Sequence, residues 1–245
     1  MKQTLITALL LTGAAAITSA ETYIINMDGG TGTHRYGTGK DALNDDVFES
    51  TLGSSVTTEY LGVGYANNDD GEVRRAMMKW DLSILDEAGL SSSSDIQSVI
   101  LTIGVTQYTS EPDSDLWVGQ DLSITSISNP TAADFNEGYV NGFFTGVTAA
   151  GVEAGSETVF DIDITDFVRN DYDNDNGDTF TTLIFFLENE DIDFTDHTAQ
   201  YRIGAGAAVN VPKLTISTIP EPSQFMLGLV ALGTVAIAAT RRRRN

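Results

Sequence analysis

The chain has no cysteine, so no disulfide bond can hold its fold together. Its stability must come from a packed core, which a chain of 245 residues is long enough to bury. Basic residues are scarce as well: 13 lysines and arginines stand against 35 acidic residues, which gives a formal net charge of -22. Because proteins bind nucleic acids largely through basic side chains that neutralise phosphates, this balance argues against a nucleic-acid partner.

Histidine occurs only twice, and together with the lack of cysteine this argues against a zinc site. The sequence also lacks the Gly-x-Ser-x-Gly motif of many serine hydrolases. Carboxylates are abundant enough for a glycoside hydrolase, but no segment marks out one buried pair among them. The sequence therefore predicts a protein that is not an enzyme, with a polysaccharide-degrading enzyme as the least favoured alternative.

Residues 1–20 have the order of a secretory signal peptide. Lys2 supplies a positive charge, a mostly apolar run follows, and the segment ends on the small residues Ser19 and Ala20. This order predicts export and cleavage by signal peptidase near Ala20, so that the mature chain begins near Glu21. A first helix of the folded domain is the alternative, but nothing caps it and no polar face interrupts it.

Residues 21–218 consist of short apolar or alternating runs, which glycine, asparagine, aspartate and serine separate. Because long amphipathic helices are missing, this spacing predicts an all-β fold, a single antiparallel β-sandwich. Only SILDEAGL and ITDFVRND favour a helical turn. The eight best strand candidates are ETYIINM, EYLGVGYA, RRAMMKWDLS, SVILTIGVTQY, DLWVGQDLSITSI, ETVFDIDITDFV, TFTTLIFFLEN and KLTIST.

Alternation within two of these candidates predicts which side chains face the core. In ETVFDIDITDFV, Asp161 and Asp163 alternate with apolar residues, which places the aspartates on a solvated face. In SVILTIGVTQY, every second residue is apolar, so these residues share one face of a strand. They are Val99, Leu101, Ile103 and Val105.

Several segments, taken in order, resemble the secreted DNRLRE or carbohydrate-binding family 96 type domains. The matching stretches are ETYIIN, STLGSSVTTEYLGVG, RRAMMKWDLSIL, SVILTIGV, FDIDITDFVRND and YRIGAGAAVNVPKLTIST. The resemblance implies a jelly-roll β-sandwich used for polysaccharide binding or as a structural module. Trp80 stands where the family usually has phenylalanine, and YRIGAGAAVNV lacks the Ser-Arg-Glu usually found before the final strand.

A sandwich that binds sugars commonly stacks them on exposed aromatic rings, with polar side chains around the rings. Trp80 is assigned to the core, because it takes the place of the family's phenylalanine. For every other aromatic residue, packing in the core or on a strand surface is the alternative interpretation. The candidate ligand-binding rings are Tyr36, Tyr60, Tyr65, Tyr108, Trp117 and Tyr139.

The segment DYDNDNGD concentrates the oxygen ligands that Ca²⁺ prefers. It does not match an EF-hand loop, because its glycine comes seventh instead of sixth and Thr182 holds the twelfth position, where glutamate is required. A solvated Asn-Gly turn between two strands is the alternative. No cofactor is required by the sequence, and the hypothesis is one structural Ca²⁺ ion. Its ligands would be Asp171, Asp173, Asp175 and Asp178.

The chain ends on a Pro-Glu-Pro motif, an apolar segment and an arginine cluster. The apolar part, FMLGLVALGTVAIAAT, has sixteen residues, somewhat short of the roughly twenty that span a bilayer as a helix. Arginines after such a segment favour a cytoplasm-facing stop-transfer signal, so a permanent single-pass anchor is one interpretation. The motif and the cluster consist of Pro220, Glu221 and Pro222, and of Arg241, Arg242, Arg243 and Arg244.

This order closely resembles the PEP-CTERM sorting signal of Gram-negative bacteria. The resemblance implies that an exosortase-type membrane transpeptidase recognises the motif and removes the tail, and that the protein then reaches the cell surface or the extracellular matrix. The prolines also keep a helix from extending back into the domain.

The sequence as a whole predicts a signal peptide (1–20), a jelly-roll-like domain (21–218) and a sorting signal (219–245). The predicted function is that of an exported surface or matrix protein that binds or organises polysaccharide. A structural or adhesion subunit without a sugar site is the alternative.

Overall fold

The computed structural model describes the chain in fourteen stretches, most of which are strands or helices. The chain has two compact units, residues 23–216 and residues 1–22 with 217–245. The described residues are 20–27, 35–41, 50–52, 60–66, 72–90, 92–107, 115–120, 129–136, 145–147, 155–173, 180–187, 200–205, 208 and 210–219.

Twelve strands and three short helices make up the described structure. In chain order, the strands are β1 (Thr22–Asn26), β2 (Arg35–Asp41), β3 (Ser50–Leu52), β4 (Tyr60–Ala66), β5 (Glu72–Asp81), β6 (Ile96–Gln107), β7 (Leu116–Gln120), β8 (Thr145–Val147), β9 (Glu157–Asp163), β10 (Phe180–Leu187), β11 (Gln200–Gly204) and β12 (Lys213–Thr218). The helices are α1 (Ser83–Glu87), α2 (Ala132–Asn136) and α3 (Thr165–Asp173), and a 3₁₀ turn covers Ser93–Asp95.

The strands join in one large antiparallel sheet, which confirms the predicted antiparallel all-β class. The order across the sheet is β1-β12-β6-β11-β4-β5-β10-β7-β8, while β9 pairs with β6, β2 with β5, and β3 with β2. Each of the eight strand candidates overlaps a strand, and both predicted helical turns are confirmed as α1 and α3. Strands β2, β3, β8 and β11 and helix α2 were not predicted.

The alternation of β6 and β9 is confirmed by burial. The four apolar residues of β6 that were predicted to share a face are fully buried, and Trp80 is fully buried in β5. Asp161 and Asp163 are exposed on β9. Such a division between an apolar and a polar face is expected of antiparallel strands that have the core on one side only.

The turn between β9 and α3 is fixed by Asp163 and Thr165. Asp163 Oδ1 accepts hydrogen bonds from the backbone N of Thr165 at 3.0 Å and from its hydroxyl at 2.5 Å. The same hydroxyl oxygen accepts a bond from the backbone N of Val99 at 2.9 Å, which ties the helix to β6. These bonds from Thr165, with a further contribution from the charge of Arg169, lower the pKa of Asp163 below its usual value.

Helix α2 packs on β2 and β5 through one ring and one ion pair. A Cβ at Gly39 would overlap the ring of Phe135, so only glycine lets this ring lie on β2. Lys79 is fully buried, and its Nζ lies 3.0 Å from Oδ2 of Asp134. A charge that is buried needs such a partner, so the pair fixes where α2 can dock.

Candidate binding face

Four neighbouring strands, β9, β6, β11 and β4, bury one side in the core and turn the other side away from it. The buried side of the central strands is apolar: Val105, Ile203 and Leu61 are fully buried. Because side chains alternate along a strand, the residues directly before and after each of these three lie on the opposite side of the sheet. That opposite side holds an unusual combination of glycines and long charged side chains.

Two rows of residues cross this side of the sheet. In the first row, Glu157 pairs with Thr106, Thr106 with Arg202, and Arg202 with Gly62. Directly paired residues share a face, so this row runs across three strand spacings, about 14 Å. The second row pairs Val159 with Gly104, and Gly204 with Tyr60. We call these eight residues the glycine face: Glu157, Thr106, Arg202, Gly62, Val159, Gly104, Gly204 and Tyr60.

The glycines let charged side chains lie flat across the strands. A Cβ at Gly104 would overlap the carboxylate of Glu157, which therefore rests directly on the β6 backbone. A Cβ at Gly62 would lie 3.3 Å from Cδ of Arg74, so this arginine from β5 covers Gly62 in the same way. Glycine within a strand weakens it and commonly marks a place where another group approaches the backbone closely.

The two carboxylate oxygens of Glu157 differ in their surroundings. Oε2 accepts a hydrogen bond from Nδ2 of Asn210 at 2.6 Å. Oε1 is buried, and no donor of the described residues lies within hydrogen-bonding distance of it. Buried polar atoms in proteins nearly always have a partner, so Oε1 is an exception to this rule.

Apolar surface stands at both ends of the second row. Tyr60 is 37% exposed on β4 and Val159 is 51% exposed on β9, with Gly104 and Gly204 between them. Beside Tyr60, Arg202 and Arg74 supply positive charge in a chain that is otherwise strongly acidic. An exposed ring beside charged hydrogen-bonding groups is a combination that suits the apolar face and the hydroxyls of a sugar.

The other predicted aromatic residues do not gather on this face. Tyr36 is 4% exposed and packs in the core, so its ring cannot stack on a sugar from solvent. Trp117 is half-buried on β7, where it pairs with Phe186 and packs against the core. The side chains of Tyr65, Tyr108 and Tyr139 lie outside the described residues. Tyr60 is thus the one predicted ring that the described structure places on the glycine face.

Two of the four predicted calcium ligands are described, and both lie in helix α3. Asp171 accepts a hydrogen bond from the hydroxyl of Thr181, whereas Asp173 accepts one from Ser93 at 2.7 Å. Residues two apart on a helix point in different directions, which agrees with these separate partners. Asp175 and Asp178 lie outside the described residues, and within the described part of the chain no group of three or more His, Cys, Asp or Glu could hold a metal ion. The calcium site stays a prediction.

The predicted signals at the two ends of the chain lie almost wholly outside the described residues. This holds for residues 1–19, for Pro220 to Pro222 and for the arginine cluster. Within the part that the structure describes, no helix is long and apolar enough to cross a bilayer.

The residues of the glycine face other than Tyr60 were not predicted from the sequence. Glu157, Arg202 and Asn210 come together only through the pairing of β9 with β6 and of β6 with β11. The sequence signal that could have found them is the density of glycines in EYLGVGYA and YRIGAG, which is high for strands.

No protein-family model matches the chain, and a search of curated proteins finds no match either. The resemblances to DNRLRE domains and to PEP-CTERM signals therefore stay predictions from the sequence.

Proposed function

We propose that the protein is an exported bacterial surface or extracellular-matrix protein, without enzymatic activity, that binds polysaccharide through the glycine face. The observation that carries this proposal is the position of Tyr60. Its exposed ring lies in one row with Gly204 and next to Arg202. A pyranose ring can stack on the tyrosine while its hydroxyls bond with the guanidinium of Arg202.

The proposed architecture is a jelly-roll sandwich, in which the large antiparallel sheet folds over a shared core. The two-sided character of β4, β11 and β6 supports this, because one side is fully buried and the other carries charge. Sandwich domains often bind ligands on one sheet surface, where backbone pairing keeps the side chains in a fixed register.

A binding role is favoured over hydrolysis by the composition of the face. Glycoside hydrolases act with two carboxyl groups that flank the bond to be cleaved. On this side of β9, Oε2 of Glu157 accepts a hydrogen bond from Asn210, and Oδ1 of Asp161 accepts one from the hydroxyl of Thr102 at 2.6 Å. Both carboxylates thus have hydrogen-bond partners within the sheet, which favours a binding role over a catalytic one.

The proposed route to the cell surface uses both predicted signals. Signal peptidase would release the chain during export across the inner membrane of a Gram-negative bacterium. The tail would hold the protein in the membrane transiently until an exosortase-type transpeptidase removed it. The limits of the sheet support this division, because β1 begins at Thr22 and β12 ends at Thr218, next to the two predicted signals.

The proposal is tested on the processed protein purified from its native host. Mass spectrometry of the intact chain should show a first residue near Glu21 and a last residue near Pro222, whereas a retained arginine end would mean a permanent anchor. A glycan array with the same preparation should then show binding to a class of polysaccharide. Binding to no glycan would favour a structural or adhesion subunit, and release of reducing sugar from a bound glycan would show an enzyme.

A further inference from the structure

The first residue after the predicted signal peptide is hydrogen-bonded to the last residue of the final strand. The backbone N of Thr218 donates to the carbonyl O of Glu21 at 3.0 Å, and the Thr218 hydroxyl lies 3.4 Å from the same oxygen. Thr218 is buried, whereas the next residue, Ile219, is half exposed and lies outside the strand. Among the described residues, the Glu21–Thr218 pair is thus the last backbone hydrogen bond before the predicted sorting motif.

The spacing between this pair and the motif is very short. Ile219 alone separates Thr218 from Pro220. The proline restricts Ile219 to an extended backbone, so the chain cannot turn sharply between the strand and the motif. On the other side of the pair, Ala20 directly precedes Glu21. The two predicted processing sites therefore adjoin the two residues of one hydrogen-bonded pair.

An enzyme that cleaves a chain commonly holds the residues on both sides of the bond extended and bonds to their backbone. For a cut at or just after Pro-Glu-Pro, the residues upstream of the motif are Ile219 and Thr218. The backbone N–H of Thr218 cannot donate to the enzyme and to Glu21 in a linear bond at once. The folded pairing and the enzyme therefore compete for the same group.

We propose that the Glu21–Thr218 pair limits the rate of C-terminal processing, an inference that rests on the sorting function proposed above. The transpeptidase engages the motif after this terminal pair has opened. Terminal strand pairs open locally at a small fraction of the global free energy of unfolding, so the step slows processing without blocking it. The folded pairing thereby slows release once the last strand has docked.

The test follows processing of the full-length chain in its native host. A flexible Gly-Ser linker inserted between Thr218 and Ile219 leaves the motif and its preceding residue intact but frees them from the pair. Thr218→Pro removes the N–H that bonds to Glu21, and Thr218→Ala is the matched control that retains it. Pulse labelling followed by mass spectrometry gives the rate at which the arginine end disappears.

The linker and Thr218→Pro should each raise that rate about fivefold, the factor expected when one backbone hydrogen bond is lost from an opening equilibrium. Thr218→Ala should stay close to the wild-type rate. A linker variant that is processed no faster than the wild type would overturn the inference, whatever Thr218→Pro does.

A variant with both motif prolines replaced, Pro220→Ala with Pro222→Ala, separates this inference from the sorting function itself. If the wild type is processed, this variant is not, and the linker has no effect, the sorting function stands and the competition is refuted. If the wild type keeps its arginine end in every sample, the sorting function fails and the inference fails with it.

Discussion

The two sides of β4, β11 and β6 are built from alternate residues of the same strands, yet they differ in almost every property. On the buried side, Leu61, Ile203 and Val105 are apolar and have no exposed surface. On the other side, Gly62 and Arg202 alternate with them and are half-buried. The backbone pairing is common to both sides, so the difference lies in the side chains alone.

This comparison separates what folds the protein from what it presents to a ligand. Each large apolar side chain on the buried side contributes about 1.5–3 kcal/mol through burial. The charged groups of the other side contribute little to the free energy of unfolding, because half-exposed ion pairs and hydrogen bonds contribute about 1 kcal/mol or less. Substitutions on the glycine face should therefore alter binding while the fold persists.

The largest effect is expected from adjacent residues of β11. Ile203→Ala removes a fully buried side chain and should lower the free energy of unfolding by about 2–5 kcal/mol. Arg202→Ala, one residue away on the glycine face, should cost about 1 kcal/mol or less. Urea unfolding of both variants measures the difference. Equal losses would show that the glycine face contributes to the core.

A second contrast uses the same substitution at two glycines. Gly39→Ala forces a methyl group into the packed ring of Phe135 and should cost about 1–3 kcal/mol. Gly104→Ala meets only the end of the flexible Glu157 side chain, which can swing away from the sheet. Glu157 then loses its hydrogen bond to Asn210, which costs about 1 kcal/mol. The alanine also reduces the conformational freedom of the unfolded chain, which stabilises the folded state by about 0.4–1 kcal/mol and offsets this loss.

Thermal unfolding of the two glycine variants checks this ranking. The melting temperature of Gly39→Ala should fall clearly, and that of Gly104→Ala should remain near the wild type. A large fall for Gly104→Ala would mean that the carboxylate of Glu157 is held rigidly on β6.

An intermediate effect is expected from Tyr201, which alternates with Arg202 but faces the core. Burial, with a contribution from the charge of Asp115, raises the pKa of Tyr201 to about 12. In the unfolded chain a tyrosine loses its proton near pH 10, so the unfolded state binds fewer protons than the folded state above that pH. Stability should therefore fall as the pH rises from about 10 towards 12.

Tyr201→Phe has no proton to lose at this position, so it should lack this part of the pH dependence. Urea unfolding at several alkaline pH values compares the two proteins. Equal losses of stability in both would contradict burial as the cause.

The smallest effect is expected at the turn before α3. The bonds from Thr165 hold the pKa of Asp163 below its usual range, so the folded state binds fewer protons than the unfolded state in acid. The stabilisation is present above about pH 4 and is lost as the pH falls through the folded pKa. Asp163→Asn retains an acceptor but cannot titrate, so its stability relative to the wild type should rise in acid. If the difference in free energy of unfolding between the variant and the wild type stays the same from about pH 5 downward, this explanation is contradicted.

The strands with apolar alternation could be predicted from the sequence, but strands rich in glycine could not. Strand β2, RYGTGKD, has glycines at Gly37 and Gly39, which break the alternation and are typical of a loop. It is a strand because its whole length pairs with β5 and because the ring of Phe135 packs on Gly39. That contact joins residues far apart in the chain, and no local pattern contains it.

Of the residues in the candidate site, only the aromatic one could be predicted from the sequence. Tyr60 is one of six aromatic residues that the sequence offers for stacking on a sugar, and packing in the core or on a strand surface is the alternative for each. Glu157 and Arg202 come into one row through the shared partner Thr106, which pairs with each of them on opposite edges of β6. Register between strands is set by tertiary packing, so one sequence does not contain it in readable form.

The most direct test of the glycine face compares Tyr60→Ala with Ile84→Ala in the processed, exported protein. The two side chains are exposed to nearly the same degree, 37% and 39%, but Ile84 lies on helix α1 and is not one of the eight residues of the glycine face. Affinity is measured for the polysaccharide that the glycan array identifies. Tyr60→Ala should lose about tenfold or more in affinity, since one aromatic contact contributes about 0.5–1.5 kcal/mol beyond its burial. Ile84→Ala should bind like the wild type. Equal affinities for all three proteins would contradict the assignment of binding to this face.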